Sequence, residues 1–372
     1  SAPVRITVID ELVPGVIGSD QVICYNSRPA GLTQLSPVSG GTGSYTFQWQ
    51  ISNNGTNWTN ILGATQSSYA PSSMNSSAYF RRSVSSGNCS NVSNTVLVSV
   101  NPDLMPGSVG SPQTICYNTI PAQLTQISAP SGGIGSFSFQ WQTSSNNSSW
   151  SNITGATLAS YAPPALTAST YFRRNVTSGD CGTVSSASVL ITVNANLTPG
   201  SIGSAQSICY NDVPAPLTQV SPPSGGTGNY TYQWQSSQNN SDWSNISGAT
   251  LSSYSPQALT ANTYFRRNVT SGDCGTVSSN SVLITVNPAL VPGSIGNDQT
   301  ICYNTSPAQL SQLTPPSGGT GSYTYQWQSS SNNATWSDIS GATSSAYSPP
   351  PLTATTYFRR NVRSGDCNTV NS

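Results

Sequence analysis

The side chains best suited to chemistry in this chain are its eight cysteines, since histidine is absent from all 372 residues. They form four pairs with a constant spacing of 65 residues between partners. Without histidine or a Cys-x-x-Cys spacing, the ligands of a zinc site are missing. The pattern therefore predicts four disulfides, formed in an oxidising compartment, with buried free thiols as the alternative. The predicted bonds are Cys24–Cys89, Cys116–Cys181, Cys209–Cys274 and Cys302–Cys367.

The other residues leave little material for a catalytic or metal site. Eleven carboxylates are spread over the chain, too few for repeated acid/base pairs or for calcium sites, which need several converging carboxylates. The GGTG segment at 225–228 lacks the lysine and following helix of a phosphate loop, so it indicates a turn. We therefore expect no catalytic residues, no metal, no cofactor and no enzymatic activity.

The low content of charged residues argues against two classes of binding partner. Charged residues make up 6% of the chain and the net charge is zero. Nucleic acids and anionic membranes both attract clustered lysine and arginine, so neither is an expected partner. No apolar stretch approaches the length of a membrane helix, and membrane insertion is not expected.

The cysteines belong to an internal repeat with a period of 92 or 93 residues. The segment ICYN occurs at Ile23–Asn26, Ile115–Asn118, Ile208–Asn211 and Ile301–Asn304. This period exceeds that of a solenoid repeat and approaches the roughly 100 residues of one immunoglobulin-type sandwich. We therefore predict immunoglobulin-like repeats at 13–104, 105–197, 198–290 and 291–372.

Within each repeat the local pattern is that of β-strands. Tyr230, Tyr232 and Trp234 alternate with polar residues, as in a half-buried strand. Residues 281–287 form a β-branched run that ends at Pro288. Gly- and Pro-rich turns separate such runs, and no helical periodicity of useful length occurs. The predicted fold class is all-β: tandem immunoglobulin-like β-sandwiches, one disulfide each, in a linear rod or filament.

Two tryptophans occur nine residues apart in each repeat. The first is expected to fill the core, as a conserved tryptophan does in immunoglobulins. The second lies in a polar segment, where it either packs or forms an aromatic platform for sugar rings. The core set is Trp49, Trp141, Trp234 and Trp327, and the candidate binding set is Trp58, Trp150, Trp243 and Trp336.

Double arginines in the YFRR segments supply most of the positive charge. Strand alternation sends the second arginine, such as Arg174, towards the core side, where an unpaired guanidinium is costly. We expect it near a sheet edge, paired with turn carbonyls or a carboxylate; two solvated side chains are the alternative. The carboxylate candidates are Asp180, Asp273 and Asp366.

The segments SGGTGSYTYQWQ (317–328) and TYFRRNVTSGDC (170–181 and 263–274) resemble the tandem immunoglobulin- or PKD-like repeats of giant secreted surface adhesins of Bacteroidota. Those adhesins are associated with gliding motility and type IX secretion. The resemblance covers all four repeats and implies an extracellular or cell-surface location, adhesion and a long multi-repeat parent. It transfers no catalytic residue, and the sorting domain of such parents has no counterpart here.

Residues 4–12 (VRITVIDEL) align with 282–290 (VLITVNPAL), the last strand of a repeat. Residues 1–12 are therefore predicted to be an orphan last strand, and the fourth repeat to lack its own. Either the chain is a window of a longer repeat protein, or Val4, Ile6 and Val8 form a strand-exchange segment that completes the fourth repeat of a neighbouring copy. Both interpretations predict head-to-tail partners, which are further repeats or other copies.

Three functions follow from these patterns. The first is a structural and adhesive extracellular filament or stalk. The second is a carbohydrate-binding array that uses the second tryptophans on surface glycans, with avidity from repetition. The third, an accessory region of a secreted hydrolase, has no catalytic residues to support it.

Overall fold

The computed structural model describes residues 2–372, which form two compact units that divide between Val193 and Asn194. Each unit contains two sequence repeats. Nearly all regular structure is β-strand, and the only helical elements among the described residues are two single 3-10 turns.

In the first unit, repeat 1 comprises β1 (Asp10–Val13), β2 (Val16–Ile17), β3 (Gln21–Ile23), β4 (Gln34–Ser36), β5 (Ser39–Gly41), β6 (Thr46–Ser52), β7 (Thr59–Asn60), β8 (Ala78–Ser86), β9 (Cys89–Val92) and β10 (Val96–Val100). Repeat 2 comprises β11 (Ser108–Val109), β12 (Gln113–Ile115), β13 (Gln126–Ser128), β14 (Ser138–Ser144), β15 (Ser151–Asn152), β16 (Thr170–Thr177), the turn Gly179–Cys181, β17 (Thr183–Ser185) and β18 (Val189–Val193).

In the second unit, repeat 3 comprises β19 (Ser201–Ile202), β20 (Gln206–Ile208), β21 (Gln219–Ser221), β22 (Thr231–Ser237), β23 (Ser244–Asn245), β24 (Thr263–Thr270), the turn Gly272–Cys274, β25 (Thr276–Ser278) and β26 (Val282–Val286). Repeat 4 comprises β27 (Ser294–Ile295), β28 (Gln312–Thr314), β29 (Thr324–Ser330), β30 (Ser337–Asp338), β31 (Tyr357–Arg363) and β32 (Val370–Asn371).

Each of the first three repeats has one large sheet, with the order β3-β10-β8-β6-β7 in repeat 1 and β9 added beside β8. The last strand, β10, runs parallel to β3 and antiparallel to β8. Short pairs such as β2–β4 form the opposite layer. The last strand, β10, is therefore an inner strand of the sheet, between β3 and the long YFRR strand β8.

The core lies between these two layers. In repeat 1, Ile17 and Leu32 from the smaller layer meet Trp49, Phe80 and Val98 from the large sheet. Equivalent clusters fill repeats 2 and 3. Strict alternation along β8 places Phe80 and Val84 inside and their neighbours at the surface, as the period of two predicts. The predicted all-β fold of tandem immunoglobulin-like β-sandwiches is confirmed.

Repeat 4 has a four-stranded sheet, ordered β30-β29-β31-β32, because the described chain contains no last strand after β32. In repeat 3, β26 pairs with one edge of β24. The equivalent edge of β31 in repeat 4 is unpaired. At the other end of the chain, β1 pairs with β5 of repeat 1, whereas residues 2–9 form no strand. Of the segment 1–12 that we predict to be an orphan strand, Asp10 to Leu12 thus contact the following repeat.

Candidate functional site: inter-repeat disulfides and an open strand groove

Consecutive repeats inside each unit are joined by a disulfide. Cys24 of repeat 1 bonds Cys181 of repeat 2, with their Cα atoms 5.2 Å apart. Cys209 of repeat 3 bonds Cys367 of repeat 4, with a Cα separation of 5.5 Å. In both bonds, the first cysteine of one repeat is linked to the second cysteine of the next. Each bond is therefore a second covalent connection between repeats, beside the backbone.

The predicted pairing inside each repeat is wrong. Cys24 and Cys181 bond each other, as do Cys209 and Cys367, while Cys89 and Cys302 are free thiols. Cys116 and Cys274 are disulfide-bonded. Six of the eight cysteines are thus bonded, and none of the bonds Cys24–Cys89, Cys116–Cys181, Cys209–Cys274 and Cys302–Cys367 is formed.

The physical reason is the length of the YFRR strand. Cys24 follows β3, whose end lies beside the beginning of β8, whereas Cys89 pairs with Ser86 at the opposite end of β8. A nine-residue strand spans roughly 30 Å at about 3.3 Å per residue. A disulfide requires Cα atoms within about 7 Å. The order of the strands indicates that the two cysteines are far apart, because Cys24 and Cys89 lie at opposite ends of β8.

A fully buried arginine stands opposite the core tryptophan in every repeat. Arg174 on β16 pairs with Trp141 on β14, and neither side chain is exposed. The Arg174 guanidinium donates from Nη1 to Gln126 Oε1 at 2.9 Å and to the Ala159 carbonyl at 2.7 Å. It donates from Nη2 to the Pro106 carbonyl at 3.1 Å. The side chain therefore ties the beginning of the repeat to the middle of its longest strand.

The same arrangement recurs at Arg82, Arg267 and Arg360. Each of these arginines donates to one glutamine, to one loop carbonyl and to the carbonyl of the proline at the second position of its repeat. An aromatic ring also lies under each guanidinium, with Phe139 at 4.5 Å below Arg174. Burial lowers the pKa of all four arginines from the usual value. Their Nε atoms are buried without a partner among the described residues.

Strand parity correctly predicted the inward direction of these arginines, and turn carbonyls are among the partners we expected. The carboxylate candidates are wrong: Asp180, Asp273 and Asp366 are exposed. In the described part of the chain, the one ion pair joins Asp366 to the surface residue Arg363 at 3.8 Å. Carbonyl dipoles and a ring face replace a counter-ion here, and such partners cannot be identified from sequence spacing.

The second tryptophan of each repeat is half-buried and stacked against the first arginine of the YFRR pair. Distances from the guanidinium carbon to the ring centroid run from 4.2 to 4.4 Å for Trp58, Trp150, Trp243 and Trp336. Arg173 also donates from Nε to Gln142 Oε1 at 2.7 Å. One face of each ring is thus occupied by a cation. Sugar stacking on these tryptophans stays a prediction that would have to use the opposite face.

The first tryptophans, Trp49, Trp141, Trp234 and Trp327, have no exposed surface. Each indole N–H is satisfied by a loop carbonyl, for example Trp141 Nε1 to Leu158 O at 2.9 Å. A tyrosine ring packs 5.7 Å from each indole. Burial raises the pKa of two of these tyrosines, Tyr161 and Tyr254. These residues are structural and are not accessible to a ligand.

Repeat 4 contains an open groove where the other repeats hold their last strand. The cavity has a volume of about 700 Å³, and its walls include residues 299–302 on one side and 355–358 on the other. Side chains that are buried in the other repeats are more exposed to solvent in repeat 4. Phe358 is half-buried, whereas Phe80, Phe172 and Phe265 are 2–3% exposed. Tyr303 is 79% exposed, against 42–47% for its three equivalents.

The predicted strand-exchange residues lie at the other end of the chain and have no partner strand. Val4, Ile6 and Val8 are 86–89% exposed. Three large apolar side chains at alternate positions are thus exposed to water. This exposure has a free-energy cost of about 25 cal/mol for each Å² of apolar surface.

No group of three or more His, Cys, Asp and Glu side chains in residues 2–372 is arranged to hold a metal ion. Over the same residues, no helix is long and apolar enough to cross a membrane.

The chain belongs to the family of a domain of unknown function (DUF8696), whose sequence profile matches residues 13–102, 105–195, 198–288 and 291–372. Each match corresponds to one structural repeat. No curated protein sequence matches the chain.

Solved structures similar to this chain are multi-domain β-proteins of low sequence identity. The titin fragment I67–I69, as an E-to-A variant, is 9% identical and has a TM-score of 0.43, with 74% of this chain and 99% of that chain covered. Mouse cadherin-23 EC22–24 is 13% identical and has a TM-score of 0.36, with 74% and 98% covered. Sidekick-1 immunoglobulin domains 1–4 are 11% identical with a TM-score of 0.28, covering 98% and 97%.

Proposed function

We propose that this DUF8696 chain is a structural, adhesive element of an extracellular filament or stalk, built from tandem immunoglobulin-like repeats and without catalytic activity. The observation that carries the proposal is the disulfide between consecutive repeats, Cys24–Cys181 in one unit and Cys209–Cys367 in the other. Bonds of this kind persist in oxidising surroundings, which favours a location outside the cell.

The inter-repeat disulfides are also suited to a protein that bears mechanical tension. Tension applied at the two ends of the chain passes directly from Cys24 to Cys181, so the 157-residue loop between them is bypassed. The same holds for the 158-residue separation between Cys209 and Cys367. Most of the four sandwiches then lie inside closed loops that an external force cannot extend.

The chemistry of the surface agrees with an adhesive or spacer role. Charged residues form 6% of the chain and the net charge is zero, so its surface interactions depend little on salt. The resemblance to secreted surface adhesins of Bacteroidota supports the adhesive part of the proposal.

Electron microscopy of the purified chain tests this function. We expect extended particles in which each repeat adds roughly 35–45 Å, as strands of ordinary length with their turns would give. After complete reduction, the same particles should show a broader distribution of angles between consecutive repeats, because one of the two covalent connections between those repeats is lost. Compact particles under oxidising conditions would contradict the proposed function.

A further inference from the structure

We propose that the outer face of the large sheet binds a polysaccharide that carries carboxylate groups, a polyuronate, at one site in each repeat. The inference rests on the proposed adhesive function and names the chemical class of its ligand. The site of repeat 2 consists of Arg173, Gln142, Asn152 and Trp150. The equivalent sites of repeats 1, 3 and 4 consist of Arg81, Gln50, Asn60 and Trp58, of Arg266, Gln235, Asn245 and Trp243, and of Arg359, Gln328, Asp338 and Trp336.

The arginine of each site is held in place from two sides. In repeat 2, Arg173 on β16 lies opposite Gln142 on β14. Arg173 donates from Nε to Gln142 Oε1 at 2.7 Å, and its guanidinium carbon lies 4.3 Å from the centroid of the Trp150 ring. A guanidinium that is bonded at Nε and stacked on one face has little freedom to turn. Its two Nη groups are therefore pre-organised for a ligand.

These Nη groups are accessible. Among residues 2–372, neither Nη1 nor Nη2 of Arg173 has a hydrogen-bond or ion-pair partner, and neither atom is buried. The same holds for Arg81, Arg266 and Arg359. The second arginine of each YFRR pair differs, because its Nη groups are bonded inside the repeat. Each first arginine thus presents a fork of donors, which fits the two oxygens of a carboxylate.

A side-chain amide adds a further donor to the site. Arg173, Gln142 and Asn152 are adjacent in register across β16, β14 and β15. Gln142 donates from Nε2 to Asn152 Oδ1 at 2.8 Å, and Asn152 is exposed. Since the oxygen of Asn152 is the acceptor of this bond, its Nδ2 group stays available to a ligand. A chain of hydrogen bonds therefore joins the three side chains, and both ends of the chain present N–H groups to solvent.

This combination of groups indicates a sugar acid. One accessible arginine in each site is too sparse for a nucleic acid, which requires clustered cations. A uronate ring carries a carboxylate, oxygens that accept hydrogen bonds, and a face of C–H groups that packs on an indole. The site offers a match for each of these: the Arg173 fork, the Asn152 amide and the exposed part of the Trp150 ring. Repetition of the site adds avidity for a polymer.

The four sites differ in their acidic residues. Repeat 4 has Asp338 where the other repeats have asparagine, and Asp338 accepts the glutamine hydrogen bond at 2.7 Å. Repeat 3 has Asp242 next to Trp243, where repeats 1 and 2 have Asn57 and Ser149. A carboxylate repels an anionic ligand. We therefore expect repeats 1 and 2 to bind a polyuronate most tightly and repeat 4 to bind it most weakly.

Binding of the full chain to immobilised oligogalacturonate and oligomannuronate, measured by biolayer interferometry, tests the inference. We expect at least one of the two to bind, and the binding to weaken as salt is added. The methyl ester of the same oligomer, which lacks the carboxylate charge, should bind at least about tenfold more weakly. Dextran sulfate of equal charge density should also bind more weakly, because its anionic group is not attached directly to the ring carbon.

Asparagine-to-aspartate variants test the site without removing a packing group. In Asn60→Asp/Asn152→Asp, each aspartate keeps an acceptor for the glutamine, as Asp338 does, so the fold should be preserved. We expect this double variant to bind at least about threefold more weakly, and Asp338→Asn to bind roughly two- to fivefold more tightly, the size of an exposed charge contact. Asn26→Asp/Asn118→Asp is the matched control, because it adds the same charges at exposed turn residues of the same repeats.

Removal of the forks themselves should have the largest effect. Arg81→Gln/Arg173→Gln is expected to reduce binding at least about tenfold. Arg28→Gln is the control, because Arg28 is an exposed arginine that stacks on no ring in the described residues and donates to the Pro71 carbonyl.

Four results would overturn the inference: equal binding of the oligomer and its methyl ester, tighter binding of dextran sulfate, no binding of either polyuronate, or unchanged binding by Asn60→Asp/Asn152→Asp. None of them bears on the proposed filament, which fails if the oxidised particles are compact in electron micrographs.

Discussion

Replacing Cys24 by serine is expected to lengthen the chain under tension by several hundred ångströms, whereas replacing Cys89 by serine should not lengthen it. The Cys24–Cys181 bond closes a loop with a sequence separation of 157 residues, and an extended chain spans about 3.3–3.6 Å per residue. Without the bond, repeats 1 and 2 unfold into the path of the force. Single-molecule stretching of the full chain under oxidising conditions measures the difference in contour length.

The two variants form a matched pair, because both residues are half-buried cysteines of the same repeat. Loss of a loop of this size also removes about 5 kcal/mol of entropic stabilisation, so Cys24→Ser should unfold at lower denaturant concentration. Bonds inside each repeat would make Cys24→Ser and Cys89→Ser equivalent, since the two residues would then share one disulfide. Equal contour lengths for the two variants would contradict the inter-repeat pairing.

Replacing Arg174 by alanine is expected to destabilise its repeat by about 3–5 kcal/mol. The substitution leaves the Ala159 and Pro106 carbonyls and the Gln126 Oε1 without their donors and opens a cavity above the Phe139 ring. Arg174→Lys should fall between alanine and the wild type, because an ammonium cannot reach three acceptors in a fixed fork. Urea unfolding followed by tryptophan fluorescence gives the shift in midpoint.

Arg173 is the control for this prediction. It is the preceding residue of the same strand, and it stacks on Trp150 at 4.3 Å on the outer face of the sheet. Arg173→Ala should cost no more than about 1–2 kcal/mol, the range for a partly exposed cation–π contact with one hydrogen bond. A larger loss for Arg173→Ala than for Arg174→Ala would show that the buried guanidinium does not hold the repeat together.

Much of the fold follows from the sequence by simple rules. The alternation in SFQWQ (138–142) and YFRR (171–174) places Trp141, Phe172 and Arg174 on one face of the sheet, and the structure has them there. The repeat period indicates the size of one sandwich. These features depend on local periodicity, which a single sequence contains.

The hydrogen-bond and disulfide partners of buried groups depend on tertiary geometry, and they are therefore harder to predict from the sequence. The acceptors of Arg174 are carbonyls from loops 15 and 68 residues away, where the backbone carries no side-chain signature. Counting cysteines by repeat also led to the wrong pairs, because it ignored the strand between them. Once β8 is recognised as a nine-residue strand, Cys24 and Cys89 are too far apart to bond, and the neighbouring repeat must supply the partner.

Peptide mapping without reduction is the most direct measurement of the pairing on which this account depends. Trypsin cleaves the chain into fragments that include 6–81 with Cys24, 83–173 with Cys89 and Cys116, 175–266 with Cys181 and Cys209, 268–359 with Cys274 and Cys302, and 364–372 with Cys367. The inter-repeat bonds predict one cross-linked species containing 6–81, 175–266 and 364–372, without 83–173. A species in which 6–81 is linked to 83–173 through Cys24 and Cys89 would contradict it.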